Sequence, residues 1–114
     1  MSSVKQLNIK ADMPNVDEAR RRLILELDRA KKQGYKAIKL IHGYGSTGKG
    51  GVLKDALRKS LSLRRKEGVI RSFVAGERWD SFEEVARAIL DACPELSRDS
   101  DLGMGNEGVT IVLL

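Results

Sequence analysis

The spacing of apolar residues along the chain predicts alternating strands and helices. A short apolar–polar alternation over residues 7–10 predicts a first strand, and we expect residues 1–6 to form a flexible tail. Between Asn15 and Gln33, apolar residues recur at intervals of three and four, which is typical of a helix with one buried face. These residues are Val16, Ala19, Leu23, Leu27 and Ala30. Gly34 suits the end of that helix.

The rest of the chain continues the alternation. The predicted elements are a strand over 36–42, a helix over 52–65, a strand over 69–75, a helix over 81–92 and a strand over 109–114. The order is β-α-β-α-β-(α)-β, and alternating strands and helices favour an α/β fold with right-handed crossovers. We therefore expect a single domain over residues 1–114, a two-layer α/β sandwich with a four-stranded mixed sheet.

Composition indicates a folded, reduced domain. The 114 residues are 41% hydrophobic and 32% charged, which differs from the composition of disordered chains. Cys93 is the one cysteine, so an intrachain disulfide is excluded, and we expect it to be a small core residue. No apolar run approaches the ~20 residues of a membrane helix, and the chain starts without an apolar leader. We expect a cytoplasmic protein with no membrane association.

Charge is divided unevenly along the chain. The net charge is +5. Residues 1–66 hold 17 Lys/Arg and 6 Asp/Glu, a net +11, whereas residues 67–114 hold 4 Lys/Arg and 10 Asp/Glu, a net −6. If the fold keeps the basic half together, its field attracts anions such as a phosphate backbone. We expect an anionic partner for this half.

A glycine-rich run, Gly43–Gly51, joins a predicted strand to a predicted helix. Such a loop exposes backbone N–H groups to a phosphate beside a helix N-terminus. The run matches a Walker A loop through Gly48 and Lys49, but Gly50 stands where a magnesium-binding hydroxyl is needed. It also contains the GxGxxG dinucleotide pattern, yet two more glycines precede the helix. Both nucleotide-binding interpretations are therefore weak.

Three side chains in or beside this loop have alternative roles. His42 ends the strand, where it can act as a general acid/base near a phosphate or bond locally to the backbone. Tyr44 can stack on a base or pack over the loop. Lys49 can reach a phosphate or remain in solvent. The residues alone leave each alternative open.

The residues around the loop resemble a known family. The strand ending in His42-Gly43-Tyr44-Gly45, followed by Gly51-Val-Leu-Lys54, resembles the HGxG motif of the Smr (small MutS-related) domain. Three more segments resemble the family's first helix, third strand and closing strand: Val16–Ala19, Arg71–Ala75 and Gly105–Leu113. The resemblance covers about residues 7–114.

The resemblance implies a βαβαββ sandwich that binds DNA or RNA, with several family members acting as endonucleases. It implies a phosphate-binding surface in this chain, and it makes His42 the candidate catalytic residue for nicking. The candidate binding residues are Lys10, Gly43, Tyr44, Gly45, Gly48, Lys49, Gly51, Lys54 and Arg58. We expect no cofactor; a divalent metal stays an open alternative, but nothing in the sequence indicates one.

The first strand departs from the family pattern. The family reads LDLHG, and its Asp and His are implicated in nicking, but Asn8 and Lys10 occupy those positions here. Asparagine is not a base, and lysine holds its proton at neutral pH. Asp12 is a candidate substitute for the missing acid. We therefore expect a nucleic-acid-binding domain with weakened or lost nicking; the alternative is an active endonuclease that uses His42.

An acidic segment, residues 77–103, stands before the last strand and resembles an insert. Trp79 with Phe82 is expected to anchor its helix; the alternative is that Trp79 contacts a protein partner. The second alternative function is therefore a protein-interaction module in which this segment binds the partner.

Overall fold

Four strands and three helices follow one another in the predicted order. A computed structural model describes residues 2–10, 14–44 and 49–114, with the backbone alone for residues 49 and 50. The elements are β1 (Val4–Asn8), α1 (Val16–Lys32), β2 (Ala37–Ile41), α2 (Lys49–Lys66), β3 (Ser72–Ala75), α3 (Glu84–Ala92) and β4 (Val109–Leu113). Short 3-10 helices, Gly76–Arg78 and Pro94–Arg98, flank α3. The predicted element order is confirmed.

The sheet is mixed, as predicted, with the strand order β1-β2-β4-β3. β1 and β2 are parallel, and Asn8 lies opposite Ile41. β4 is antiparallel to both of its neighbours, so Val109 pairs with Ile41 and Thr110 with Ala75. Consequently β1, β2 and β3 all finish, and β4 begins, at one end of the sheet. We call this end the loop end.

Helices cover both faces of the sheet. One apolar cluster joins α1 and α2 to the sheet through alternate strand residues, including Ile38, Leu40 and Val112. A second cluster joins α3 and its flanking segments to the opposite face through Ala37, Ile111 and neighbours. The predicted two-layer sandwich thus gains a third layer, because segment 77–103 packs on the face that two layers would leave open.

The first helix forms as its sequence predicts. Asn15 caps α1, its side chain accepting a bond from the Glu18 backbone N–H at 2.9 Å. The four inward residues Ala19, Leu23, Leu27 and Ala30 are buried, and Val16 packs partly against the same cluster. Among the residues described, no helix has the length and apolar character needed to cross a membrane.

Trp79 anchors segment 77–103, whereas Phe82 does not. Trp79 is fully buried, and its indole N–H donates to Asp99 at 3.1 Å. The alternative prediction, that Trp79 contacts a protein partner, is therefore wrong. Phe82 is 89% exposed, so its predicted anchoring role is also wrong. It lies in a turn in which the Asp80 carboxylate accepts hydrogen bonds from the Phe82 and Glu83 backbone N–H groups. Because of this turn, α3 begins at Glu84 and not at the predicted Ser81.

A buried ion cluster ties the end of this segment to the central strand. Lys39, on β2, lies 2.7 Å from an Asp99 carboxylate oxygen and 2.6 Å from one of Asp101. Bonds to these two carboxylates raise the pKa of Lys39 although its burial acts to lower it. Asn106 donates to Asp101 at 3.0 Å. The turns before β4 are thus fastened to the sheet. Cys93 lies in the adjoining core, as expected.

The prediction that residues 1–6 form a flexible tail is wrong for the described residues 2–6. β1 begins at Val4, which pairs with Ala37, and the Ser3 carbonyl accepts from the Lys36 backbone N–H at 2.8 Å. Both serine hydroxyls and the Ser3 backbone N–H donate to the Glu95 carboxylate. The bond from Ser2 above all, with those from Ser3, lowers the pKa of Glu95 to about 2. The mostly polar residues before Leu7 show no strand pattern, and their partners are far along the chain, so local periodicity did not predict these contacts.

Candidate functional site

The loop end brings together residues that are far apart in sequence. Lys10 follows β1, His42, Gly43 and Tyr44 follow β2, and α2 starts at Lys49 on the same side. β1 and β2 are parallel neighbours, so their carboxyl ends meet. This arrangement brings three of the predicted binding residues, Lys10, Gly43 and Tyr44, to one place beside the start of α2.

His42 is enclosed within this end of the sheet. Its side chain has no exposed surface. Nδ1 lies 2.8 Å from the Gly43 carbonyl oxygen, and Nε2 lies 2.9 Å from the Thr110 hydroxyl. Its backbone N–H donates to the Gly108 carbonyl at 3.1 Å. Both ring nitrogens are therefore occupied by the protein itself, and His42 links the loop after β2 to the start of β4.

These contacts define the protonation of His42. A carbonyl can only accept, so Nδ1 carries the proton bonded to Gly43. In the neutral ring Nε2 then accepts from the Thr110 hydroxyl, whose oxygen accepts from Arg58 Nε at 3.0 Å. Burial lowers the pKa of His42, and the charges of Arg58 and Lys54 lower it further, against the opposing bond to Gly43. His42 is a neutral, internally bonded imidazole.

Arg58 is directed inward and is held by a carboxylate. Its two terminal nitrogens donate to the Glu77 oxygens at 2.9 and 2.8 Å, a bidentate pair. One of them also donates to the Val109 carbonyl at 3.1 Å. Only 16% of the side chain is exposed. The predicted phosphate-binding residue Arg58 thus supports His42 through Thr110, while Glu77 balances its charge.

Lys10 and Gly43 lie against each other on the outside. Gly43 has a φ of +72°, a conformation that side chains other than glycine rarely adopt. A Cβ added there would lie 3.2 Å from Lys10 Cδ, so the lysine stem passes directly over the glycine. The Lys10 side chain is exposed. Its ammonium is therefore free to approach a ligand at the loop end.

Tyr44 lies beside Gly108, and its side chain is 54% exposed. A Cβ on Gly108 would come within 3.2 Å of Tyr44 Cδ1 and 3.5 Å of Gly43 Cα. The Gly43 backbone N–H donates to the Gly108 carbonyl at 3.0 Å. The ring thus rests on a backbone junction that two hydrogen bonds, from His42 and Gly43, hold closed.

The first turns of α2 contribute positive charge to the same end. Lys49 and Lys54 stand in its first two turns, and its first turn contains no acidic residue, whereas Arg64, Arg65 and Lys66 stand in its last turn. Lys54 is mostly buried and lies 3.8 Å from Glu107, a loose pair. The backbone of Gly51 lies near the Tyr44 carbonyl. Gly45, Gly48 and Asp12 lie outside the described residues, as does the side chain of Lys49.

Three important residues of the site were missed from the sequence. Thr110 offered a signal, since it is a polar residue inside the apolar run 109–114. Glu77 gave none, because its partner Arg58 is 19 residues away and on another element. Gly108 belongs to a turn whose closeness to Tyr44 follows only from β4 pairing with β2.

The acidic side chains at this end pair with cations of the protein. Glu77 is bonded to Arg58, and Glu107 lies near Lys54. Within residues 2–10, 14–44 and 49–114, no group of three or more His, Cys, Asp or Glu side chains is placed to hold a metal ion.

Comparison with known proteins agrees with the fold and with the predicted family. No curated protein sequence matches the chain significantly. The crystal structure of the Smr domain of Thermus thermophilus MutS2 is similar, with a TM-score of 0.56 and 22% sequence identity. The match covers 97% of this chain and 95% of that one, and it supports the fold. The sequence model of the Smr domain matches residues 12–114. Because that match spans most of the sequence, the chain belongs to the Smr domain family.

Proposed function

We propose that this domain binds nucleic acids by gripping the phosphate backbone at the loop end, independently of base sequence. The observation that carries the proposal is that exposed Lys10, the Gly43–Tyr44 backbone and the start of α2, whose first turn has no acidic residue, meet at the loop end. Phosphates are held by lysine and arginine side chains, backbone N–H groups and helix N-termini. Membership of the Smr family supports the same function.

The binding surface that we propose differs from the set expected from sequence. Lys10, Gly43, Tyr44 and Gly51 remain in it, together with the loop residues Gly45, Gly48 and Lys49. Arg58 and His42 move to a positioning role, because Glu77, Thr110 and the backbone occupy their polar atoms. Lys54 contributes its field at the edge of the surface.

Binding is measured by fluorescence anisotropy with labelled single-stranded, duplex and branched DNA and RNA. We expect binding to all sequences of one strand type with similar affinity. Lys10→Ala should weaken it, while Lys36→Ala should not. Lys36 is also an exposed lysine, but it precedes β2 and so lies at the opposite end of the sheet. An equal loss of affinity in both variants would mean that binding depends on net charge alone, and it would contradict a site at the loop end.

Nicking that depends on His42 is the competing function. The enclosed ring has no surface from which to exchange a proton with a bound phosphate, and Asn8 and Lys10 stand where the family pattern has Asp and His. We expect supercoiled plasmid to stay intact, with or without Mg²⁺ or Mn²⁺. Nicking that disappears in a folded His42→Gln variant would show that the loop opens and that the domain is an endonuclease.

A further inference from the structure

Tyr44 differs from the other four aromatic residues in where it lies. Trp79 is buried, and Phe82 is exposed in the turn before α3. Tyr35 and Phe73 pack partly into the first cluster and carry cations near their rings, Lys5 and Arg65, each at 5.8 Å. Tyr44 alone among the five stands at the loop end, half exposed.

From this placement we propose that Tyr44 is a stacking platform for one base of a single-stranded nucleic acid. The inference rests on the proposed function and names its substrate class. An aromatic ring with open surface beside a lysine offers two contacts to one nucleotide, since the base stacks on the ring and the phosphate meets the ammonium. Lys10 supplies that ammonium, because its stem crosses Gly43, the residue next to Tyr44.

The platform is already in position before a ligand arrives. The backbone N–H groups of His42 and Gly43 both bond to the Gly108 carbonyl, and the tyrosine ring rests beside Gly108. Below this junction, His42 is bonded on both ring nitrogens. A ring held in place loses little conformational freedom on binding, so more of the stacking energy appears as affinity.

Stacking on Tyr44 selects single strands for a geometric reason. In a duplex each base face is covered by its neighbours, whereas the bases of a single strand are free to turn onto a protein ring. The phosphate contacts of the loop end are common to both forms. Tyr44 therefore adds affinity for single-stranded nucleic acid and little for a duplex.

The test compares two labelled single strands with the same number of phosphates, a mixed-sequence oligonucleotide and one made of abasic units. We expect wild-type protein to bind the base-bearing strand about 5- to 150-fold more tightly. Tyr44→Leu should remove most of that preference and leave the salt dependence unchanged, since no charge is lost. Tyr44→Phe should keep the preference.

Phe82→Leu is the matched control, an exposed aromatic residue in the turn before α3, and it should change neither affinity. Equal wild-type affinity for both strands would overturn stacking and leave phosphate binding intact, whereas no binding to either would overturn both proposals.

Discussion

His42 holds the loop after β2 onto the turn before β4. Its neutral ring completes a chain of bonds that runs from Glu77 through Arg58 and Thr110 to the Gly43 carbonyl. Each polar atom in this chain has a partner, and breaking one would leave a buried group unsatisfied, at a cost of about 1–3 kcal/mol. The residue that most resembles a catalytic group in the sequence thus shapes the binding edge.

The buried imidazole predicts a pH dependence of stability. The folded pKa of His42 lies below its ordinary 6.5, so the unfolded chain binds this proton at a higher pH than the folded one. The contribution of His42 to the free energy of unfolding is fully present above about pH 6.5. Below that pH the free energy of unfolding should fall, by at most about 1.4 kcal/mol per pH unit. Urea unfolding between pH 5 and 7.5 measures the slope, which His42→Gln should abolish.

No other histidine contributes to this window, since His42 is the only one in the sequence. The carboxylates with lowered pKa values, Glu77, Glu95 and Asp101, lose their stabilising effect only as the pH falls below about 4.5. A slope that persists unchanged in the variant would show that His42 is not buried neutral.

Gly76 is required by close packing. A Cβ there would lie 2.0 Å from the Asn106 carbonyl oxygen and 2.6 Å from that of Val109. Both are backbone atoms, so Gly76→Ala should destabilise the fold by about 3 kcal/mol. Gly103→Ala is the control: it has a φ of +82° but open space, and should cost about 1 kcal/mol. Equal losses in chemical denaturation would contradict this packing.

At the scale of elements, segment 77–103 is a structural layer of the domain. α3 and the flanking 3-10 helices cover the sheet face formed by Val74, Ile111 and Leu113. Lys39 fastens the end of the segment to β2 through Asp99 and Asp101. Three acidic residues of the segment pair with cations of the rest of the domain: Glu77 with Arg58 of α2, and Asp99 and Asp101 with Lys39 of β2.

Substitutions of two aromatic residues test this layer. Trp79→Ala should cost about 3–5 kcal/mol, because it empties a fully buried site and leaves Asp99 without its indole donor. Phe82→Ala, three residues on, should change stability by less than about 0.5 kcal/mol because its ring is exposed. Thermal or urea unfolding measures both, and similar effects of the two substitutions would mean that the segment packs differently.

At the scale of the whole molecule, local patterns predicted the elements better than the contacts between them. The three-and-four spacing of apolar residues placed α1 within one residue, and Gly34 marked its end. The third layer, the early start of β1 and the Glu77–Arg58 pair depend on residues distant in sequence. Local periodicity carries no information on such pairings.

The same limit applies to the candidate site. The glycine run and His42 stood out because their chemistry is unusual at the end of a strand. The residues that surround them depend on the order of the strands, because β4 lies between β2 and β3 and so brings Thr110 and Gly108 to the loop end. That placement turns His42 inward and leaves Lys10 and Tyr44 as the exposed groups.

The measurement that tests the central claim most directly is the salt dependence of single-strand binding for wild type, Lys10→Ala and Lys36→Ala. Each phosphate neutralised contributes about 0.7 to the slope of log K against log [salt]. We predict a clear negative slope for wild type, a slope about 0.7 shallower for Lys10→Ala, and no change for Lys36→Ala. A flat wild-type slope, or one that Lys10→Ala leaves unaltered, would contradict phosphate binding at the loop end.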